Sequence, residues 1–344
     1  MVTISVAPDN RAQWRSAADA DLSTRRTKAT AATPAEAPPA DSGMTRSKGN
    51  SLLVLGSESA FSGVVLKKLL EAGVNVCGFV VHAWPRPAGL ESRGGAIPLV
   101  VAGTGPAVAA EGGVPVIAVE SARDERALER MRARAPDVVL AACFPVILPP
   151  AWLAVARRLC LNLHPSLLPA YRGPTPLFWQ LREGERETGV TLHVIDAGID
   201  AGDIVAQSVM PLPVGARFSE VNARLAGIGA ALMVDMLRMM DAGVEIPRTL
   251  QDETLASYQP FPKEKDFRFD THFSAERAFC FMRGAEEWGV PFEVDVGDAL
   301  LVLERALAYH DDARMAVPYA VDGGDVRIRF SQGVLEAIGR VVVE

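Results

Sequence analysis

The stretch SLLVLGSESAFSGVVLKKLLEAGVNVCGFVV, Ser51 to Val81, decides the fold class. Its uncharged apolar run at 51–56 is typical of a buried strand, and the next segment places apolar residues at helical spacing. A second apolar run at 74–81 predicts another strand. Strand, helix and strand in this order open a parallel α/β sheet.

The alternation continues downstream of this unit. Apolar runs at 114–119 and 137–144 predict strands on either side of a charged helix at 122–136. A strand carrying Asn162 and His164, a helix near 176–184, a strand at 188–196 and a closing helix at 217–243 follow. The loop after the first strand, GSESAFSG, lacks the GxGxxG dinucleotide fingerprint, so the fold does not by itself imply nucleotide binding. We predict a Rossmann-like domain with a parallel sheet over residues 51–244.

The two ends of the chain have different compositions. Residues 1–50 are rich in Ala, Thr, Ser and Pro without a sustained apolar period, which predicts a disordered extension. The polar, proline-bearing run at 245–262 predicts a linker. Beyond it, one helical pattern and several short strands separated by Gly and Asp predict a smaller C-terminal domain over 263–344. This domain would be a β-barrel of OB-like type.

Composition restricts the functional class. The chain has 344 residues, 49% of them hydrophobic and 22% charged, with a net charge of −7, so no general basic field draws it to nucleic acid or membranes. The apolar segment 138–156 contains three prolines, which argues against a membrane span. Four widely spaced cysteines form no CxxC pair, so we expect a reduced, cytoplasmic protein without a metal.

A polar pair stands at the end of one predicted strand. In LNLHPSLLPAYRG, 161–173, residues two apart face the same side, so Asn162 and His164 point together while Leu163 turns into the core. Pro165 then ends the strand, at the edge where open α/β sheets bind ligands. An amide that can stabilise an oxyanion and an imidazole that can carry a proton suit acyl chemistry.

A carboxylate is available in the segment VTLHVIDAGIDAGD, 190–203. Its three aspartates are Asp196, Asp200 and Asp203, and Gly198 and Gly202 would let the loop fold back onto the neighbouring strand. On their own, an N-x-H pair and a loop aspartate are more often hydrogen-bonded turn or cap residues than catalysts. No GxSxG nucleophile elbow surrounds Ser166, so direct transfer between substrates is favoured over an acyl-enzyme.

The ordered run from Leu161 to Gln207 resembles the formyltransferase family that uses 10-formyltetrahydrofolate. The N-x-H pair, the SLLP turn, the TGVT strand and the D-x-G loop occur in the family's order. The resemblance implies that Asn162, His164 and Asp200 are catalytic. It also implies that the segment AACFPVILPP, 141–150, lines the folate pocket. The residues implicated there are Phe144, Ile147 and Leu148.

The mechanism implied by this resemblance is attack of an unprotonated primary amine on the formyl carbon. The Asn162 amide and a protonated His164 would stabilise the oxyanion, each such donor contributing roughly 3–4 kcal/mol. Asp200 would orient His164 and, through a water, help to remove the amine proton. His193 lies where many relatives have a histidine, and a catalytic role and a purely structural one are equally open for it.

Three hypotheses differ in the molecule that accepts the formyl group. Between Pro211 and Glu344 we count 14 Lys and Arg against 22 Asp and Glu, a poor match to a tRNA-binding surface. The WPRPAG segment, 84–89, resembles a loop of methionyl-tRNA formyltransferases without its basic continuation. In this sequence HPS stands where methionyl-tRNA formyltransferases commonly have a glycine after the histidine. We therefore expect a small amine, such as an amino sugar nucleotide or amino acid derivative. Methionyl-tRNA and hydrolysis of the folate are the alternatives, and the oligomeric state is open.

Overall fold

The computed structural model describes residues 49–82 and 103–342 of the chain. The predicted N-terminal extension lies outside the described residues except at its last two positions. The WPRPAG segment, 84–89, also lies outside them.

The first sheet contains seven strands in the order β3-β2-β1-β4-β5-β6-β7. Strands β1 to β5 are mutually parallel. The central strands β1 and β4 are buried on both faces, as expected for parallel strands covered by helices. The bounds are β1 Leu52–Gly56, β2 Val76–His82, β3 Val116–Val119, β4 Val138–Ala142, β5 Leu159–His164, β6 Glu187–Val194 and β7 Ile204–Pro211.

Helices cover both faces of this sheet, and each face has its own hydrophobic core. One core packs the sheet against helices α1 and α6, and the other packs its opposite face against α3 and Trp152 of α4. Met233, Met236 and Met240 of α6 belong to the first core. The bounds are α1 Ala60–Glu71, α2 Gly105–Glu111, α3 Glu125–Arg132, α4 Pro150–Leu153, α5 Pro176–Glu183 and α6 Phe218–Asp241.

The last two strands depart from a purely parallel arrangement. Strand β6 runs antiparallel to β5, with Asn162 opposite His193 and His164 opposite Thr191, and β7 runs antiparallel to β6. The pair β6–β7 is a hairpin whose connecting loop, 195–203, carries Asp200. Sequence patterns did not predict β7, since its exposed and buried residues mix polar and apolar types at a sheet edge.

The C-terminal region forms a second, six-stranded sheet in the order β11-β12-β13-β10-β9-β8. Its pairs are antiparallel apart from β8 with β9. The pairing of the long strands β10 and β13 is interrupted by two register shifts, and such bulges bend a sheet. The bounds are β8 Arg268–Asp270, β9 Phe292–Asp295, β10 Leu300–His310, β11 Tyr319–Asp322, β12 Asp325–Arg329 and β13 Val334–Val342, with helix α7 Ala275–Ala285 before β9.

These two sheets confirm the predicted fold class of a Rossmann-like domain with a smaller β-rich domain. The two parts share packing, because Phe178 and Trp179 of α5 belong to the aromatic core of the C-terminal part. The boundaries at 244 and 262 stay predictions. Within the described ranges, every helix is too short or too polar to cross a membrane.

Candidate active site

Strand β5 places its two polar residues on one face, as its alternation predicted. Leu161 and Leu163 are fully or almost fully buried in the core that faces α6. Asn162 and His164 point to the other side, where the imidazole is 4% exposed. The strand therefore presents an amide and a nearly dehydrated imidazole at its carboxyl end.

The hairpin loop 195–203 brings Asp200 onto this pair. Asp200 has a left-handed backbone, φ 51°, in which asparagine and aspartate are tolerated better than most residues. The turn is tight at Gly202, where an added Cβ would lie 2.0 Å from the Val194 carbonyl oxygen. Glycine therefore lets the loop return over β6, which is the fold-back that the sequence predicted.

Asp200 contacts both members of the pair. The Asn162 Nδ2 donates to Asp200 Oδ1 at 3.2 Å, and the Nδ1 of His164 lies 3.6 Å from Asp200 Oδ2. The three residues that the sequence singled out thus form one cluster. Asp196 and Asp203 lie in the same loop as Asp200, but the side chain of Asp196 accepts a hydrogen bond from the Gly198 N–H of this loop.

His193 is the fourth member of the cluster. Its Nδ1 lies 2.9 Å from the Val194 carbonyl, which can only accept, so Nδ1 carries the hydrogen and Nε2 is free to accept. The Asn162 Nδ2 donates to this Nε2 at 3.0 Å, and Asp200 Oδ1 is 3.5 Å away. His193 therefore fixes the orientation of the Asn162 amide.

The loop after β5 contributes backbone groups that sequence reasoning missed. The Nε2 of His164 donates to the Tyr171 carbonyl at 2.8 Å, and the Gly173 N–H donates to Asp200 Oδ2 at 2.9 Å. Tyr171 and Gly173 both have positive φ, 61° and 110°. The RG dipeptide after an SLLP turn was the available signal, but side-chain patterns do not reveal where a carbonyl points.

Burial sets the protonation of the cluster. Burial lowers the pKa of His164 below its ordinary value, and the nearby Asp200 carboxylate only partly opposes this effect. Burial alone would raise the pKa of Asp200, but the adjacent His164 and the Gly173 N–H hold it well below its usual range. The site therefore pairs an ionised carboxylate with an imidazole whose second proton burial disfavours.

The predicted folate segment follows β4. Phe144 and Leu148 are half-buried against the core around Trp152, whereas the side chain of Ile147 is 80% exposed. Two residues thus anchor the segment and the third presents apolar surface to solvent. Among the described residues, no three His, Cys, Asp or Glu side chains are arranged to hold a metal ion.

Comparison with known proteins identifies the class. Residues 52–237 match the Formyl transferase family. Methionyl-tRNA formyltransferase of Chloroflexus aggregans is 35% identical over 260 residues, which are 76% of this chain and 81% of the relative. The corresponding protein of Geobacter sulfurreducens is 32% identical over 72% of this chain and 76% of its own length. The chain belongs to the formyl transferase family, which confirms the resemblance and the predicted N-formyltransferase activity.

Solved structures support the fold. The N-formyltransferase of Helicobacter canadensis, in complex with folinic acid and dTDP-3-aminofucose, matches 83% of this chain and 98% of its own with a TM-score of 0.60 at 14% identity. HypX of Aquifex aeolicus in complex with tetrahydrofolic acid matches with a TM-score of 0.52 at 18% identity. This chain spans 44% of HypX. At these identities the likeness extends to the fold alone.

Proposed function

We propose that Asn162, His164 and Asp200 transfer the formyl group of 10-formyltetrahydrofolate to a primary amine. The observation that carries the proposal is that these residues come from strand β5 and from a separate hairpin loop and meet in one cluster at the carboxyl end of β5. Residues that only stabilised a turn would not need to converge in this way. The supporting contacts are the Asn162–Asp200 hydrogen bond and the 3.6 Å approach of Asp200 to His164.

The route of the proton follows from the hydrogen bonds of His164. When the amine nitrogen bonds to the formyl carbon, it must lose a proton. The Nε2 of His164 already carries a hydrogen that is bound to the Tyr171 carbonyl, so Nδ1, which faces Asp200, is the vacant position. A proton reaching Nδ1 creates an imidazolium beside a carboxylate, and the same proton can then pass to the leaving folate nitrogen.

Asn162 supplies the donor for the oxyanion of the tetrahedral intermediate. Its Nδ2 donates to both His193 and Asp200. One of these bonds must therefore be exchanged for the oxyanion as it forms. Because the group is already oriented by its partners, the exchange needs little rearrangement, which is the condition for efficient stabilisation of developing charge.

The folate donor is proposed to pack its apolar ring on the segment after β4. Ile147 offers exposed surface there, and Phe144 and Leu148 hold the segment to the core. The N-formyltransferase of Helicobacter canadensis, which shares this fold, binds a folate, folinic acid, in its crystal structure. No separate metal is needed for this chemistry, since the reacting groups are an amine, a formyl carbon and a proton carrier.

For the acceptor we favour a small-molecule amine. The region from Pro211 onward carries 14 basic against 22 acidic residues. Several of its arginines are moreover engaged with carboxylates, as in Arg268 with Asp295 and Arg277 with Glu183. RNA binding depends on cations that can neutralise phosphates, and paired arginines serve this purpose poorly.

Methionyl-tRNA is the second candidate because proteins named methionyl-tRNA formyltransferase are similar to this chain over most of their length. Hydrolysis of the folate, the third, would use water in place of the amine. An acceptor screen separates them. Purified protein with 10-formyltetrahydrofolate is given dTDP-3-aminofucose, a panel of amino acids, charged initiator tRNA, or no amine, and folate release is followed by absorbance.

We expect turnover with a small amine and none with water alone. Turnover with charged tRNA only, weakening steeply as salt rises, would assign the tRNA function instead. Formate release at full rate without any amine would assign the hydrolase. If Asp200→Asn and His164→Ala both retained the rate of the unmodified protein, the proposed site would be wrong.

A further inference from the structure

We infer that the linker segment 249–259, called here the strap, positions the catalytic loops, and that Gln251 is its positioning residue. The inference rests on the proposed function, because it assigns importance to the Asp200 loop. Sequence reasoning treated this segment as a polar connection between two domains. Its contacts in the structure are made with residues of the site.

Gln251 joins the strap to the loop that carries Asp200. Its Nε2 donates to the backbone carbonyl of Asp200 at 2.8 Å and to that of Gly202 at 2.8 Å. Both hydrogens of one amide thus bind the two carbonyls that flank Ala201. The left-handed turn of Asp200 has no strand pairing of its own, so these two bonds fix its backbone from outside the loop.

The other end of the same amide binds Arg172. The Gln251 Oε1 accepts from Nε of Arg172 at 3.1 Å and from its second terminal nitrogen at 2.8 Å. The guanidinium also makes a bidentate pair with Glu253 at 2.7 and 3.0 Å. Arg172 is only 8% exposed. Its guanidinium is held by hydrogen bonds and an ion pair to two residues of the strap, Gln251 and Glu253.

Arg172 lies between the two residues whose backbones hold the catalytic pair. The Tyr171 carbonyl accepts from His164, and the Gly173 N–H donates to Asp200. The strap also binds this segment through its backbone. Arg172 N–H donates to the Ser257 carbonyl at 2.8 Å, and the Gln259 N–H donates to the Arg172 carbonyl at 2.8 Å.

The approach of the strap is close at Gly173. A Cβ added there would lie 2.2 Å from the Gln259 carbonyl oxygen. The strap therefore contacts both loops, one through Gln251 and the other through Arg172 and Gly173. Tyr171 and Asp200 both have left-handed φ, a conformation that persists only where the surroundings impose it. The strap provides these surroundings.

The test replaces Gln251 in the full-length protein. Gln251→Glu keeps the side-chain length and the contact with Arg172 but cannot donate to the Asp200 and Gly202 carbonyls. Gln251→Met removes both interactions without adding charge. The matched control is Asp252→Asn, next in sequence, whose exposed side chain, among the residues the structure describes, bonds within the strap, to Thr254.

Turnover is measured with 10-formyltetrahydrofolate and dTDP-3-aminofucose or charged initiator tRNA, whichever supports turnover, together with the melting temperature. Small displacements of reacting groups cost large factors in rate, so we expect kcat to fall about tenfold or more in both Gln251 variants. The donor KM and the melting temperature should stay close to those of Asp252→Asn. A loss of kcat at constant KM is a result that a purely structural role would not give.

Glu253→Gln is a further variant that leaves Gln251 in place and changes an exposed carboxylate. It should lower kcat by about threefold, since the guanidinium keeps one of its two strap partners. If kcat is unchanged in both Gln251 variants while Asp200→Asn is impaired, the positioning role is refuted. If Asp200→Asn is also unimpaired, the proposed function fails.

Discussion

Replacing Asp200 by asparagine tests the site most directly. Asparagine has the same shape and tolerates the left-handed φ of 51°, so the loop should keep its backbone. The change removes the negative charge opposite His164 and leaves one acceptor oxygen where two donors, the Gly173 N–H and the Asn162 amide, now bind. The side chain is only 15% exposed, so water cannot fully replace the lost partner.

The magnitude follows from these contacts. A hydrogen bond to a charged group contributes about 1.5–3 kcal/mol, and an imidazolium that forms during the reaction loses its counter-charge. A total loss of about 3 kcal/mol in the transition state corresponds to a fall in kcat on the order of 100-fold. The donor KM should change little, because Asp200 does not line the predicted folate segment.

The assay is steady-state folate release with the acceptor found in the screen, together with a thermal melt. Asp196→Asn is the matched control, since this neighbouring aspartate accepts only from the Gly198 N–H within the described residues. Asp200→Asn with a kcat within threefold of the control, and a melting temperature that shows it is folded, would refute the reasoning about proton transfer.

Four further results are expected. Gly202→Ala should lower kcat at least about tenfold in the same assay, because its Cβ would lie 2.0 Å from the Val194 carbonyl oxygen and displace the loop. Phe178→Ala should lower the free energy of unfolding by about 3–5 kcal/mol in urea titrations, since it is fully buried among other aromatic rings. Asp200 ionises at lower pH when folded, so its stabilising contribution is present above the unfolded pKa of 3.8 and is lost as pH falls below it. In thermal melts below pH 3.8, the melting temperature of Asp200→Asn should therefore depend less on pH than that of the unmodified protein. Ile147→Ser should raise the donor KM by roughly tenfold at unchanged kcat, because it removes exposed apolar surface from the predicted folate segment.

Local patterns predicted the parts of the site that depend on strand geometry. The alternation in β5 placed Asn162 and His164 on one face because the side-chain period of a strand is two residues. The glycines at 198 and 202 predicted a returning loop for a similar local reason. The choice of Asp200 over Asp196 and Asp203 came from resemblance, since all three lie in the same glycine-containing loop.

Other features depend on contacts that sequence spacing does not encode. Strand β6 runs antiparallel to β5 although a helix, α5, connects them, and the register places His193 directly opposite Asn162. Sequence spacing left the role of His193 open because the register between two strands is a tertiary property. The contacts of Gln251 with two loops, 51 and 79 residues away in sequence, could not be predicted for the same reason.

Backbone strain connects these observations. In the described ranges, four non-glycine residues have positive φ, and three of them, Cys143, Tyr171 and Asp200, stand in the loops that follow β4, β5 and β6. Left-handed conformations of such residues cost free energy and persist where neighbouring structure imposes them. Local propensity disfavours these conformations, so it cannot predict them. A site that depends on them must be held by distant segments, and this requirement explains why a polar linker with no chemistry of its own makes its most extensive hydrogen bonds at Arg172 and Asp200.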